Sequence, residues 1–280
     1  IPIEALEQEL ARSAPVKALV LVHAETSTGA LQPLEDVGAL CRAHDALFIV
    51  DAVTSLGGIP VEVDTWGIDA CYSGTQKCLS CPPGLAPLTV SPRGMGAIRQ
   101  RRAPCHSWYL DLSLIADYWN DHSRAYHHTA PISMLYGLRE ALRLVHEEGL
   151  PARAARHQVN SDALMSGLRT LGLSPLPPPG HRLPMLNCVT LPHGIDEAMM
   201  RTQLLQRYGI EIGGGLGPLR GRVWRIGLMG ESCRQAHVLT LLNALEEIFA
   251  GQGRLTQPGR AVQAATETYT HSLGSARRGA

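Results

Sequence analysis

Short apolar runs and amphipathic stretches alternate along this chain. The first run, Val16-Lys-Ala-Leu-Val-Leu-Val22, is nearly continuous, the pattern of a strand buried on both faces. A polar turn, Glu25-Thr-Ser-Thr-Gly29, separates it from a helix predicted to start near Pro33. Leu34, Val37, Leu40 and Cys41 give that helix an apolar face, and it runs to about His44. Ala46-Leu-Phe-Ile-Val-Asp51 repeats the buried-strand pattern and closes on a carboxylate. Strand, helix and strand in this order predict a βαβ unit, hence a parallel sheet flanked by helices. Ligands of such sheets collect beyond the carboxyl ends of the strands, where Asp51 and the 25–29 loop would meet.

Further strands are predicted at 70–73 and, after the Pro82-Pro83-Gly84 turn, at 85–90. Ile132, Leu135, Leu138, Leu142 and Val145 mark a helix over 131–148, and Gly149 with Pro151 punctuates the chain after it. Residues 1–149 therefore read as one α/β domain and 150–251 as a smaller α+β domain. The smaller domain has strands at 187–191 and 223–228, a helix at 197–208 and a last helix carrying Val238, Leu241, Leu242, Leu245, Ile248 and Phe249. Ser232 and Gln235 have the spacing of a capping box at its start. Apolar patterning collapses past Gly251, which predicts a disordered tail over 252–280.

Composition narrows the classes. With 45% hydrophobic and 18% charged residues among 280, the chain can bury a core, which excludes global disorder. Lys and Arg total 25 against 25 Asp and Glu, without the basic excess of a nucleic-acid binder. No apolar run is long enough to span a bilayer as a helix. The seven cysteines are scattered and odd in number, the usage of reduced thiols in a cytoplasmic setting. Cys78-Leu-Ser-Cys81 has CxxC form but no second ligand pair, so structural thiols and no metal are expected. His127-His128 is read as packing or hydrogen bonding, Gly213-Gly-Gly-Leu-Gly217 as a mobile loop, and Pro175-Leu-Pro-Pro-Pro179 as an internal loop.

Two residues raise the question of chemistry. Lys77 closes Ser73-Gly-Thr-Gln-Lys77 just past a buried strand, and a partly desolvated lysine can form a Schiff base with an aldehyde. A solvated loop lysine is the alternative. Asp51, for which a helix cap or turn is the alternative, would share a sheet edge with it. Pyridoxal 5′-phosphate needs that pair: an amine for its aldehyde and an acid to keep its pyridine nitrogen protonated.

His23-Ala-Glu-Thr-Ser-Thr-Gly29, Val50-Asp-Ala-Val-Thr-Ser-Leu-Gly-Gly58 and Ser73-Gly-Thr-Gln-Lys77 resemble motifs of the class V, fold-type I aminotransferases. Tyr126-His-His-Thr-Ala-Pro131 and Val223-Trp-Arg-Ile-Gly-Leu228 match further blocks, and the chain is most similar to the alanine–glyoxylate / serine–pyruvate group. The resemblance implies a fold-type I α/β architecture, with an incomplete, mainly parallel sheet flanked by helices and a small α+β C-terminal domain. It implies transamination between a small amino acid, alanine or serine, and a 2-oxo acid, glyoxylate or pyruvate. Lys77 would be the Schiff-base lysine and proton shuttle, and Asp51 the partner of the pyridine nitrogen. Gln76 would reach the cofactor phosphate and Thr26, often Ser in the family, the ring region. Tyr126 and Thr129 would bind the phosphate of a neighbouring subunit's cofactor, which implies a homodimer with shared sites. Arg225 would grip the substrate carboxylate. Its place on an alternating strand and its planar fork suit that role, and a strand arginine in a surface salt bridge is the alternative.

Complete members of the family carry a long segment ahead of the point where this sequence opens, at Ile1-Pro2-Ile3. That segment holds a phosphate loop and a ring that stacks on the cofactor. The expectation is an N-terminally truncated chain with an exposed apolar sheet edge. Two alternatives stand beside this reading: a catalytically incompetent fragment acting as a dimerisation remnant, and a class V cysteine desulfurase or lyase, which needs a mobile nucleophilic cysteine, whereas Cys78 and Cys81 lie close to Lys77 in sequence without the loop context for it.

Overall fold

Why the strand ends meet is set by register. In a computed structural model describing residues 1–119, 125–254 and 257–276, with side chains to 272, the first part runs α1 (Ile3–Arg12), β1 (Ala18–Val22), β2 (Ala24–Glu25), β3 (Ala30–Leu31), α2 (Val37–Ala43), β4 (Leu47–Asp51) and β5 (Ala70–Tyr72). It continues through β6 (Leu88–Val90), α3 (Pro92–Arg99), α4 (Leu112–Tyr118) and α5 (Ile132–Glu148). The sheet order is β1-β4-β5-β6, with the first two pairings parallel and β6 antiparallel at the edge. Val22 lies opposite Asp51 and Asp51 opposite Tyr72, so three strands end flush and their following loops leave from one edge.

One face of this sheet forms a core. Leu21, Phe48, Val50 and Cys71 are buried with Leu6 and Leu10 of α1 and Val37 and Cys41 of α2. The other face departs from the expected two-sided burial: Val20 is 57% and Val22 40% exposed, and Tyr72 and Leu88 are exposed as well. Alternation along each strand sends these residues away from α1 and α2, so an apolar strand composition does not by itself mean two covered faces.

The second part runs α6 (Leu150–Thr170), β7 (Ser174–Pro175), β8 (Leu186–Thr190), α7 (Glu197–Tyr208), β9 (Gly213–Gly214), β10 (Val223–Gly227), α8 (Gln235–Gly251) and α9 (Arg260–Ala276). Its antiparallel sheet, β7-β8-β10-β9, presents Val189, Trp224 and Ile226 to Leu164, Leu168, Met200, Leu204, Leu242 and Leu245. The chain passes from α5 to α6 through Gly149 at φ +79°.

Four expectations are corrected. Within 252–280 the chain is not a disordered tail: α9 buries Ala261, Ala265 and Tyr269, and the Tyr269 hydroxyl donates to Asn160 Oδ1 at 2.8 Å. Buried Glu246 accepts the amides of Gly259 (3.0 Å) and Ala261 (2.5 Å), a carboxylate at a helix N-terminus where the dipole favours it. Residues 277–280 of that stretch lie outside the described residues. Second, the capping box on α8 does not form: the N-cap is Arg234, and Ser232 belongs to a short 3₁₀ turn, Gly230–Ser232, whose last carbonyl accepts from His237 Nδ1. Third, part of the glycine-rich loop is an edge strand, with Gly213 and Gly214 paired to Arg225 and Trp224. Fourth, Ser174 and Pro175 of the proline-rich loop region pair with Thr190 and Val189 as β7.

Candidate active site

Asp51 is fixed by its neighbours on both sides. Its Oδ1 accepts the Val53 amide at 2.8 Å and its Oδ2 the Tyr72 hydroxyl at 2.9 Å. Bonding to a carboxylate raises the Tyr72 phenol above its ordinary value, which keeps it a donor. The main chain stitches the same edge: His23 donates to the Asp51 carbonyl at 3.0 Å, and Ser73 Oγ donates to that of Ala52 at 3.0 Å.

Lys77 sits in a turn anchored around it. Ser73, Thr75, Cys78, Leu79 and Cys81 are buried. Thr75 Oγ1 donates to the Pro82 carbonyl at 2.7 Å, and the Cys81 amide donates to the Thr75 carbonyl at 3.0 Å. Gln76 is exposed and Lys77 half-buried. Among the described residues the Lys77 amine takes no hydrogen bond or ion pair. A half-buried lysine on a well-anchored turn presents its amine to a ligand from a fixed backbone.

Thr26 and Arg225 meet across the two parts of the chain. Arg225 donates Nε to the Gly214 carbonyl at 2.8 Å and Nη1 to the Thr26 carbonyl at 3.3 Å, leaving Nη2 uncommitted among the described residues. Gly29 makes the approach possible. Its φ is +73°, and a Cβ there would lie 2.8 Å from Cys188 Cβ on β8.

Tyr126 and Thr129 stand apart from this group. Both are exposed, bonded to each other through their hydroxyls, and no hydrogen bond joins them to Lys77, Asp51 or Gln76. His127 stacks on Trp108 at 4.1 Å and shares a 2.7 Å contact with His128, which is the packing and hydrogen bonding expected for the pair. Both thiols beside Lys77, Cys78 and Cys81, are buried, and burial pushes Cys78 up to about 12, which makes it a poor nucleophile. That geometry does not favour a desulfurase.

Three residues near the edge escaped the sequence reading. Val53 and Tyr72 hold Asp51, and only the β4–β5 register reveals the second. His23, against Trp66 at 5.4 Å, is buried with Nδ1 unbonded among the described residues. Burial lowers it to about 4. His157 is also lowered, mainly by burial. An unfolded histidine near 6.5 takes up protons that these two refuse, so their contribution is present above that value and lost as pH falls through the folded values. Urea unfolding between pH 7 and pH 4 is expected to show a loss of roughly 2–3 kcal/mol from His23 alone, and His23→Gln is expected to flatten that slope. An unchanged slope in His23→Gln removes His23 from the account.

Comparison with known proteins shows the family. The family model described as Aminotransferase class-V matches residues 1–225. The (S)-ureidoglycine–glyoxylate transaminase of Bacillus subtilis is 43% identical over 91% of this chain and 66% of its own length. The alanine–glyoxylate aminotransferase of Callithrix jacchus is 42% identical over 88% of this chain and 60% of its own. The crystal structure of ureidoglycine–glyoxylate aminotransferase from Bacillus subtilis superposes with a TM-score of 0.92 at 45% identity, covering 96% of this chain and 69% of the other. The chain thus spans about 60–66% of the length of these curated relatives. With a family match over most of its residues and relatives at 42–43% identity, the chain belongs to the class V aminotransferases.

Proposed function

We propose that this chain carries the cofactor lysine and the substrate-carboxylate arginine of an aminotransferase that moves an amino group from alanine or serine to glyoxylate or pyruvate. The observation that carries the reading is a carboxylate at the end of β4 oriented by Val53 and Tyr72, with Lys77 on the anchored turn that follows the neighbouring strand β5. The family's cofactor is pyridoxal 5′-phosphate, and the donor set fits it: Asp51 offers an acceptor to a protonated ring nitrogen, and Lys77 an amine to an aldehyde. When bound, the cofactor supplies that aldehyde and a ring that withdraws electrons from the substrate's α-carbon.

The remaining steps belong to the protein. Arg225 binds the α-carboxylate with its planar fork and so orients the Cα–H bond. Lys77 would carry the proton, taking it from the α-carbon as a general base and delivering it to the cofactor's former aldehyde carbon as a general acid. Asp51 would accept a hydrogen bond from the ring nitrogen and so favour that nitrogen's protonated form. Gln76 would reach the phosphate, and Thr26 would border the ring. The exposed Tyr126–Thr129 pair supports a homodimer in which each subunit reaches into the other's site.

A second donor has specific support, because one similar relative is named for ureidoglycine. The deciding experiment adds pyridoxal phosphate to the purified chain and follows absorbance near the visible edge. Alanine, serine and (S)-ureidoglycine are then compared as donors to glyoxylate. Absence of both absorbance and transamination sinks the proposal. Arg225→Lys keeps charge but loses the fork, and it is expected to raise KM for the donor by roughly 10- to 100-fold with a smaller change in kcat. An unaltered KM removes Arg225 from the carboxylate role.

A further inference from the structure

The start of α6 turns polar residues inward: Arg153 is 5% and His157 0% exposed. Arg153 uses each of its guanidinium nitrogens. Nη1 donates to Glu148 Oε2 at 2.6 Å, Nε to the Gly57 carbonyl at 3.0 Å, and Nη2 to the Cys78 carbonyl at 2.6 Å. Arg156 shares the same carboxylate, through Nε to Oε1 at 2.5 Å and Nη2 to Oε2 at 2.9 Å. Its Nη1 reaches the carbonyls of Gly230 (2.9 Å) and Cys233 (2.6 Å). His157 closes the lattice. Its Nε2 accepts the Gly230 amide at 3.0 Å, so the ring proton sits on Nδ1 and is donated to the Arg153 carbonyl at 2.7 Å. From the opposite side, Ser80 Oγ accepts the Glu231 amide at 2.7 Å.

A buried ion pair is a weak way to gain stability, since apolar residues of similar volume often serve as well. What apolar residues do not supply is a fixed direction for main-chain carbonyls, and a planar guanidinium does. The carbonyls held here are informative. Cys78 directly follows Lys77, and the 230–233 loop begins three residues past the end of the strand that carries Arg225.

We propose that Arg153 is a positioning residue for Lys77: together with Glu148 and Arg156 it locks the Lys77 turn and the 230–233 loop into one frame, so the amine and the carboxylate-binding strand move as a unit. This rests on the reading of Lys77 as the amine that takes the cofactor. Movement of β10 on substrate binding is transmitted through 230–233 and Arg156 to Glu148, and from there through Arg153 to the peptide next to Lys77.

The test uses Arg153→Lys, which keeps a charge opposite Glu148 but loses the fork that spans two carbonyls, with Ser80→Ala as a milder variant that buries no charge. In the cofactor-free chain, amide exchange at 78–81 and 230–233 is expected to accelerate roughly tenfold or more in Arg153→Lys, and less in Ser80→Ala, while 241–245 in α8 keeps its protection. In the cofactor-loaded chain, the pH midpoint of the visible absorbance is expected to move by about half a unit or more, with kcat falling more than KM changes. Exchange that rises evenly through α6 and α8, or not at all, overturns the joint, as does an unmoved midpoint in Arg153→Lys. A parent chain that develops no absorbance overturns the lysine reading instead, and the exchange pattern then decides the joint by itself.

Discussion

Lys77→Ala is expected to abolish the visible absorbance that pyridoxal phosphate develops on the protein and to cut transamination by about 10⁴-fold or more, because one amine both captures the aldehyde and moves the α-proton. The surroundings offer no substitute. Among the described residues the loop that bears Lys77 carries no second lysine, and Cys78 next to it is a buried thiol pushed up to about 12. Lys77→Arg is the companion variant. Its guanidinium keeps the positive charge but does not deprotonate to a nucleophile, so it should behave like alanine in absorbance while leaving stability near the parent's. Absorbance and turnover at parent level in Lys77→Ala would remove the lysine, and with it the aminotransferase reading.

Gly230→Ala is expected to destabilise the chain by roughly 3 kcal/mol through two independent costs, a strained backbone and an overfilled contact. Gly230 has φ +56°, and a Cβ there would lie 1.9 Å from Ser80 Oγ and 2.7 Å from the Cys78 carbonyl. The second contact is the severe one, because a carbonyl fixed by Arg153 has little room to retreat. Thermal unfolding should fall by roughly 5–10 °C. Gly149→Ala separates the two costs: its φ is +79°, yet nothing lies within 4 Å of the added carbon, so only the backbone penalty applies. Adding Ser80→Gly to Gly230→Ala removes the nearest obstacle and relieves the φ of +59° at Ser80, so partial recovery is expected. A Gly230→Ala chain that melts with the parent would mean that the 230–233 loop does not bear on the Lys77 turn.

Local pattern made some of this molecule legible and hid the rest for identifiable reasons. Strands β1 and β4 announce themselves by continuous aliphatic runs, and α5 and α8 by large apolar residues at helical spacing. Helix α6 passes unnoticed because its buried side includes Arg153, His157, Asn160 and Ser161, each satisfied by a specific partner, so no apolar period marks it. Helix α9 passes unnoticed because alanines carry much of its contact with the core, and small residues weigh little in a hydrophobic scan.

The same division holds at the site. The order of apolar runs and turns, with Asp51 closing one strand and Lys77 following the next, was enough to expect from the sequence alone that a carboxylate and an amine would leave one sheet edge, since parallel strands deliver their carboxyl ends to the same side. Only the tertiary structure decided that Tyr72 faces Asp51, that Arg225 reaches Thr26 from 199 positions away, and that Arg153 holds the peptide beside Lys77. The physical reason is range. Periodicity is a property of neighbours along the chain, whereas strand register and buried polar bonds are settled by which distant groups are left to satisfy one another once the core has closed.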